Sequence, residues 1–206
     1  ADALDDDERR AEGALRQAGY ANAIGDLTSA IAASQRAIAL AQVRNDAGRE
    51  AAGYLQWGQA LNNQGASAAA RTPLGAAVSI AHRQGFLSAE AEGLRLLGST
   101  HWCLGDYAQA EAYYARSLEI CRRTGDRRGQ RMALNNLGLV RMRTGRHDLA
   151  TAHFEQALAI AREIGDPWGE AKALTNLANV SMAMGNFTQA TAFARQALET
   201  SRQVGA

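Results

Sequence analysis

The chain has 206 residues and a formal net charge of +1, which allows one domain or a small pair and excludes a global electrostatic bias toward nucleic acid or a membrane surface. Hydrophobic residues make up 47%, much of it Ala, with only 6% aromatic residues and two prolines, Pro73 and Pro167. Ala, Leu, Arg, Gln and Glu favour helices and β-branched residues are sparse, so composition predicts an all-α fold.

Taken in order, the elements repeat. Gly25, Gly65, Gly105, Gly145 and Gly185 are spaced at 40 residues, as are Gly85, Gly125, Gly165 and Gly205, with Asn45 in the same column. Ala30, Ala70, Ala110, Ala150 and Ala190 form a third column, and Ile38, Val78, Leu118, Leu158 and Leu198 a fourth. Five copies fit without insertion or deletion, over about 5–44, 45–84, 85–124, 125–164 and 165–206. No low-complexity linker separates them, so a single domain is expected: an α-solenoid of five helix-turn-helix units.

The first unit departs from the later ones at Gln17, where they have Trp or Leu. In the second, Pro73 falls within the expected second helix and predicts a kink or a late start, making 47–85 the least regular stretch. The fourth is the clearest. Its first helix is predicted from about Arg127 to Thr144, with Leu134, Leu137, Gly138 and Arg141 on one face. Gly145 closes it in the left-handed conformation, and a second helix from about His147 to Ile164 carries Ala150, Phe154, Ala157, Leu158 and Ala161 as its apolar stripe. Asp126 and Asp166 are predicted N-caps, and Pro167 fits the first helical position. The column Ala18, Gly58, Gly98, Gly138 and Ala178 admits only small residues and predicts a close helix crossing. In the fifth unit, Phe187, Ala190, Ala197 and Leu198 have no following repeat to cover them before Val204-Gly205-Ala206. That end predicts either further sequence beyond this segment or pairing with a second copy.

The run Leu134, Leu137-Gly138, Gly145, His147, Ala150, Phe154 and Ala157-Leu158 resembles the tetratricopeptide repeat. The same pattern occurs at Leu94, Leu97-Gly98, Gly105, Tyr107, Ala110, Tyr114 and Ser117-Leu118. With six residues beyond the family's usual period, it resembles the 40-residue variety of Leu-Gly-Asn-type adaptors, bacterial transcriptional activators and signalling ATPases. The resemblance implies a right-handed superhelix whose first helices line a concave groove, and an interaction scaffold rather than an enzyme.

No catalytic, metal-binding or cofactor-binding constellation is read from the sequence, and none is expected. The four histidines are scattered, no Cys-x-x-Cys occurs, and Cys103 and Cys121 read as small core residues. No apolar run suits a membrane span, and an acidic N-terminus argues against a signal peptide, so a cytoplasmic location is expected. Positions offset from the scaffold face give the candidate groove, Asn62, Arg95, Trp102, Asn135, Met142, Lys172 and Asn179, and Arg128 from the basic cluster is expected to approach it. Amides there suit an extended peptide backbone, and Trp or Met would anchor side chains. A cluster including Arg122, Arg123, Arg127, Arg128 and Arg131 suits an acidic or phosphorylated segment; nucleic acid is disfavoured because no aromatic residues interleave with it. The expected function is binding of a peptide or protein segment, as the sensing part of a larger bacterial regulator. The alternatives are a spacer or self-assembly module, and a small-molecule or nucleic-acid sensor using the arginines.

Overall fold

The structure is a computed structural model that describes residues 2–203, with side chains from residue 8 onward. Val204-Gly205-Ala206, the expected end of the array, lies outside the described residues. Ten helices and no strand occur among the described residues, as the composition predicts. They are α1 (Asp2–Ile24), α2 (Leu27–Val43), α3 (Ala47–Asn63), α4 (Ser67–Gln84), α5 (Leu87–Cys103), α6 (Tyr107–Thr124), α7 (Arg127–Arg143), α8 (His147–Glu163), α9 (Pro167–Ala183) and α10 (Phe187–Gln203). These make five helix pairs of one design, the α-solenoid expected from the 40-residue period. The backbone divides into two compact units, Ala1–Tyr113 and Tyr114–Ala206, with the division inside α6.

Local chemistry sets the helix ends. Asp26, Asp46, Asp126 and Asp166 each accept a hydrogen bond from the backbone N–H three residues on, at 2.9–3.1 Å. Each such bond occupies one of the donors that a helix start leaves open. The bonds from Ser29 and Arg49 hold the Asp26 and Asp46 carboxyls below the usual carboxylate range. Gly145 has φ 75°, where an L side chain is strained, and Asn45, the one non-glycine in such a column, has φ 54°. Replacing Asp126 by Ala is expected to cost about 1 kcal/mol, read as a lower urea midpoint with an unchanged slope.

In the first unit α1 packs on α2 and α3, and α3 on α4 and α5. Its core includes Ala70, Leu74, Leu96 and Leu97, flanked by Leu55, Leu61, Val78 and Tyr113, and a second cluster of Ala21, Ala30 and Ala60 under Ile31. In the second unit α7 packs on α8 and α9, and α9 on α8 and α10. Phe154, Leu174, Leu177, Val140 and Val180 are fully buried there. The predicted small-residue crossing is present: a Cβ on Gly138 would lie 2.5 Å from the Phe154 ring.

Three expectations are corrected. Helix α4 begins at Ser67, in register with the other second helices, and runs unbroken through Pro73. The buried contacts of Ala70, Pro73, Leu74 and Ala77 outweigh the ~3 kcal/mol local cost of an interior proline. The second repeat is therefore as regular as its neighbours in element bounds. Cys121 is a core residue, but Cys103, at the end of α5, is exposed.

Candidate partner-binding surface

The repeat places the first helices α1, α3 and α5 in contact in one unit, and α7 and α9 in the other. Their buried faces meet the second helices. What remains on the opposite side is set by how neighbouring first helices meet, and there the amide residues have a structural task.

Asn135 is 3% exposed, and its side-chain oxygen accepts a 2.7 Å hydrogen bond from Asn176 on the next first helix. Asn62 donates to the Thr100 hydroxyl at 2.9 Å and to the Leu96 carbonyl at 3.4 Å, joining α3 to α5. One repeat earlier, Asn22 donates to the side chain and the carbonyl of Gln56, at 2.8 and 3.1 Å. Of the amides expected to face a ligand, Asn135 is buried and Asn62 half-buried, and both tie adjacent repeats, because an amide withdrawn from water needs a partner and the neighbouring helix supplies one. Asn22, Gln56, Thr100 and Asn176 were not singled out from sequence. The recurrence of Asn at 22 and 62 was the available signal.

Arg95 is also engaged. Its guanidinium makes a two-pronged pair with Glu92 on the same helix, at 2.5 and 2.9 Å, with 15% of the side chain exposed. Trp102 is half-buried and tilts against Tyr107, with centroids 5.1 Å apart. In the second unit Arg128, Lys172 and Asn179 are exposed and Met142 is half-buried.

The arginine cluster does not act as one patch. Arg127 binds Glu163 through both carboxylate oxygens, and this hydrogen bonding holds the Glu163 carboxyl below its ordinary value. Arg131 pairs with Asp166 at 3.0 Å, each side chain little more than one-tenth exposed. Arg116, Arg122, Arg123, Arg128 and Arg146 remain exposed. His82 pairs with Glu90 and His101 with Asp106, and no group of residues suited to a metal ion occurs among the described residues. Nor is any described helix long and apolar enough to cross a membrane.

At the end of the second unit, α9 and α10 border a cleft of 640 Å³ lined mainly by Ala, Met, Phe and Leu side chains. Asn179 lies on its rim. Phe187 and Leu198 there are 69% and 53% exposed, against 8% for Leu158, one repeat earlier in the Leu198 column.

Two sequence profiles described as tetratricopeptide repeat match residues 88–163 and 171–204, and one of anaphase-promoting complex subunit 5 matches residues 11–57. No curated protein matches the chain. Among solved structures, BtubC (BKLC) from P. vanneervenii is 22% identical, with a TM-score of 0.80 over 98% of this chain and 91% of that one. A Rap protein complexed with competence and sporulation factor is 16% identical, with a TM-score of 0.77 over 95% of this chain and 64% of that one. The Rap conjugation gene regulator of plasmid pLS20, in complex with the Phr* peptide, is 19% identical, with a TM-score of 0.78 over 93% of this chain and 53% of that one. This chain thus spans less than two-thirds of either Rap chain, and likeness at these identities establishes fold alone. The 40-residue period, the small-residue crossing at Gly138 and the two matching profiles agree: the chain belongs to the tetratricopeptide repeat family.

Proposed function

We propose that the chain is a protein-interaction scaffold that binds a peptide or protein segment along the uncovered face of its first helices. The observation that carries this reading is the contrast between the two sides of α7 and α9. One side is sealed by Leu134, Leu137, Val140, Leu174, Leu177 and Val180, while the other leaves Arg128, Lys172 and Asn179 exposed and Met142 half-buried. Two cationic residues and a half-buried apolar one spread along this side suit an extended segment that carries acidic residues and an apolar anchor. In the first unit Trp102 offers a comparable aromatic contact. The Rap structures in complex with the Phr* peptide or with competence and sporulation factor have a similar fold and support this class of ligand and a place within a larger regulator.

A random peptide display selected on the purified chain tests it. Enrichment of sequences with Asp or Glu near an aliphatic or aromatic residue is expected. Arg128→Glu with Lys172→Glu should weaken the selected peptides by more than about tenfold, equivalent to ~1.4 kcal/mol, at unchanged melting temperature. Selected peptides whose affinity ignores both reversals would overturn the assignment.

A further inference from the structure

We propose that the cleft between α4 and the start of α6, floored by α5, binds a small anionic ligand that also carries hydroxyl groups: a sugar acid or a sugar phosphate. The cleft measures 690 Å³ and lies wholly within the first unit, with helix pairs before and after it in the chain. Helix α4 lines it with Arg71, Thr72 and Gly75, α5 with Leu97 and His101, and α6 with Tyr113. None of these residues belongs to the first-helix face of the preceding reading.

The five repeats solve one packing problem, so residues that depart at a single joint are not demanded by packing. Thr72 stands where the other second helices carry Ala32, Ala112, Ala152 and Ala192. His101 stands where the other first helices carry Ala21, Leu61, Arg141 and Ser181. Gly75 shares its column with Gln35, Ala115, Glu155 and Arg195. A glycine inside a helix is destabilising, and elsewhere in the array it has a steric reason. A Cβ on Gly58, Gly93 or Gly138 would stand 2.4, 2.6 or 2.5 Å from a neighbouring side chain. A Cβ on Gly75 would meet nothing within 4 Å. Its missing side chain relieves no contact and instead opens the cleft.

The ligand class follows from the polar groups left without partners. The His101 side chain is 13% exposed, its ring lies 5.2 Å from that of Tyr113, and its Nδ1 lies 3.2 Å from Asp106 Oδ2. A carboxylate only accepts, so Nδ1 donates here and Nε2 is left to accept. The other Asp106 oxygen accepts from the Gln109 N–H at 3.2 Å, so both oxygens of this carboxylate are engaged. Arg71 makes no ion pair, and the Thr72 and Tyr113 hydroxyls make no hydrogen bond. The Arg71 guanidinium calls for a carboxylate or a phosphate. His101 Nε2 calls for an O–H donor, and the two hydroxyls pair with either kind of group. Apart from Ala68 and Leu97, the side chains lining the cleft carry a polar group, so polar contacts rather than apolar burial would hold the ligand.

The probes are gluconate and glucose 6-phosphate, titrated calorimetrically into the full chain beside glucose, acetate and inorganic phosphate. Saturable binding of gluconate or glucose 6-phosphate is expected, with a Kd below about 1 mM, and the three simpler compounds should bind at least about tenfold more weakly. The tighter of the two probes tells a carboxylate ligand from a phosphate one. Gly75→Gln places in the cleft the side chain that Gln35 carries in the first repeat, and Arg71→Glu the one that Glu111 carries in the third. Each should weaken binding by about tenfold or more, the equivalent of ~1.4 kcal/mol. The melting temperature of Gly75→Gln should hold or rise, because glutamine suits a helix interior better than glycine. Arg71 is exposed and unpaired, so Arg71→Glu carries the test even if Gly75→Gln melts lower. Binding of neither probe, or binding indifferent to both variants, would overturn the proposal. So would acetate or inorganic phosphate binding as tightly as the probes, which would mark a site for an adventitious ion only.

Discussion

Truncating Phe154 to alanine is expected to lower the stability of the second unit by about 3–5 kcal/mol. Phe154 is fully buried on α8, and its ring fills the space that Gly138 on α7 leaves open. Gly138 lacks a side chain for this reason: a Cβ there would stand 2.5 Å from one ring carbon and 2.7 Å from another. The pairing recurs with compensation. Gly58 faces Leu74 in the same two columns of the second repeat. In the first and fifth repeats these columns hold Ala18 with Ser34 and Ala178 with Ala194, so Ala replaces Gly where the opposing residue is small. Gly138→Ala alone is expected to cost about 1–3 kcal/mol through overpacking. In the Phe154→Ala background it should cost less or stabilise, because alanine favours a helix interior by roughly 1 kcal/mol over glycine once the clash is gone. Urea unfolding of the two single variants and the double variant measures the coupling; strict additivity would show that Gly138 and Phe154 do not constrain each other.

The sequence made the period, the helix ends and the small-residue column legible because each follows from local chemistry. Asp126 caps α7 and Gly145 ends it whatever lies across the groove. The size compensation between Gly138 and Phe154 needed the crossing itself, since the two residues belong to different helices and no periodicity links their volumes. The candidate surface was legible only in part. A heptad-like offset separates the buried Leu134 and Leu137 from the half-buried Met142, but it does not say which remaining positions meet the next repeat. Asn135 contacts Asn176, 41 residues away, and Asn62 contacts Thr100, 38 away. Such pairs depend on the tilt between neighbouring first helices, which a strict 40-residue register does not encode. Pro73 is opaque to sequence for a related reason: its local helix penalty is visible there, but the burial that Leu74 and Ala77 bring to the same turn is not.

Asn135→Ala distinguishes an amide that serves the fold from one that serves a ligand. Asn176 is 8% exposed and donates at 2.7 Å to the Asn135 side-chain oxygen, so the truncation leaves a buried donor without its acceptor. The expected loss of stability is about 1–3 kcal/mol. Asn179→Ala, on an exposed position of α9, should change stability by no more than about 0.5 kcal/mol. Replacing Asn135 and Asn176 together by leucine removes donor and acceptor at once, and is expected to recover much of the loss because no buried polar group remains unpaired. Chemical denaturation of the three variants and the parent is the measurement. A destabilised Asn135→Ala rescued by the double replacement identifies the pair as a tie between α7 and α9. An Asn135→Ala variant as stable as the parent would remove that role and return Asn135 to the ligand-facing set. The distinction bears on the proposed function directly: with Asn135 committed to the fold, the proposed ligand contacts of this unit are Arg128, Met142, Lys172 and Asn179, whose side chains the repeat leaves exposed or half-exposed.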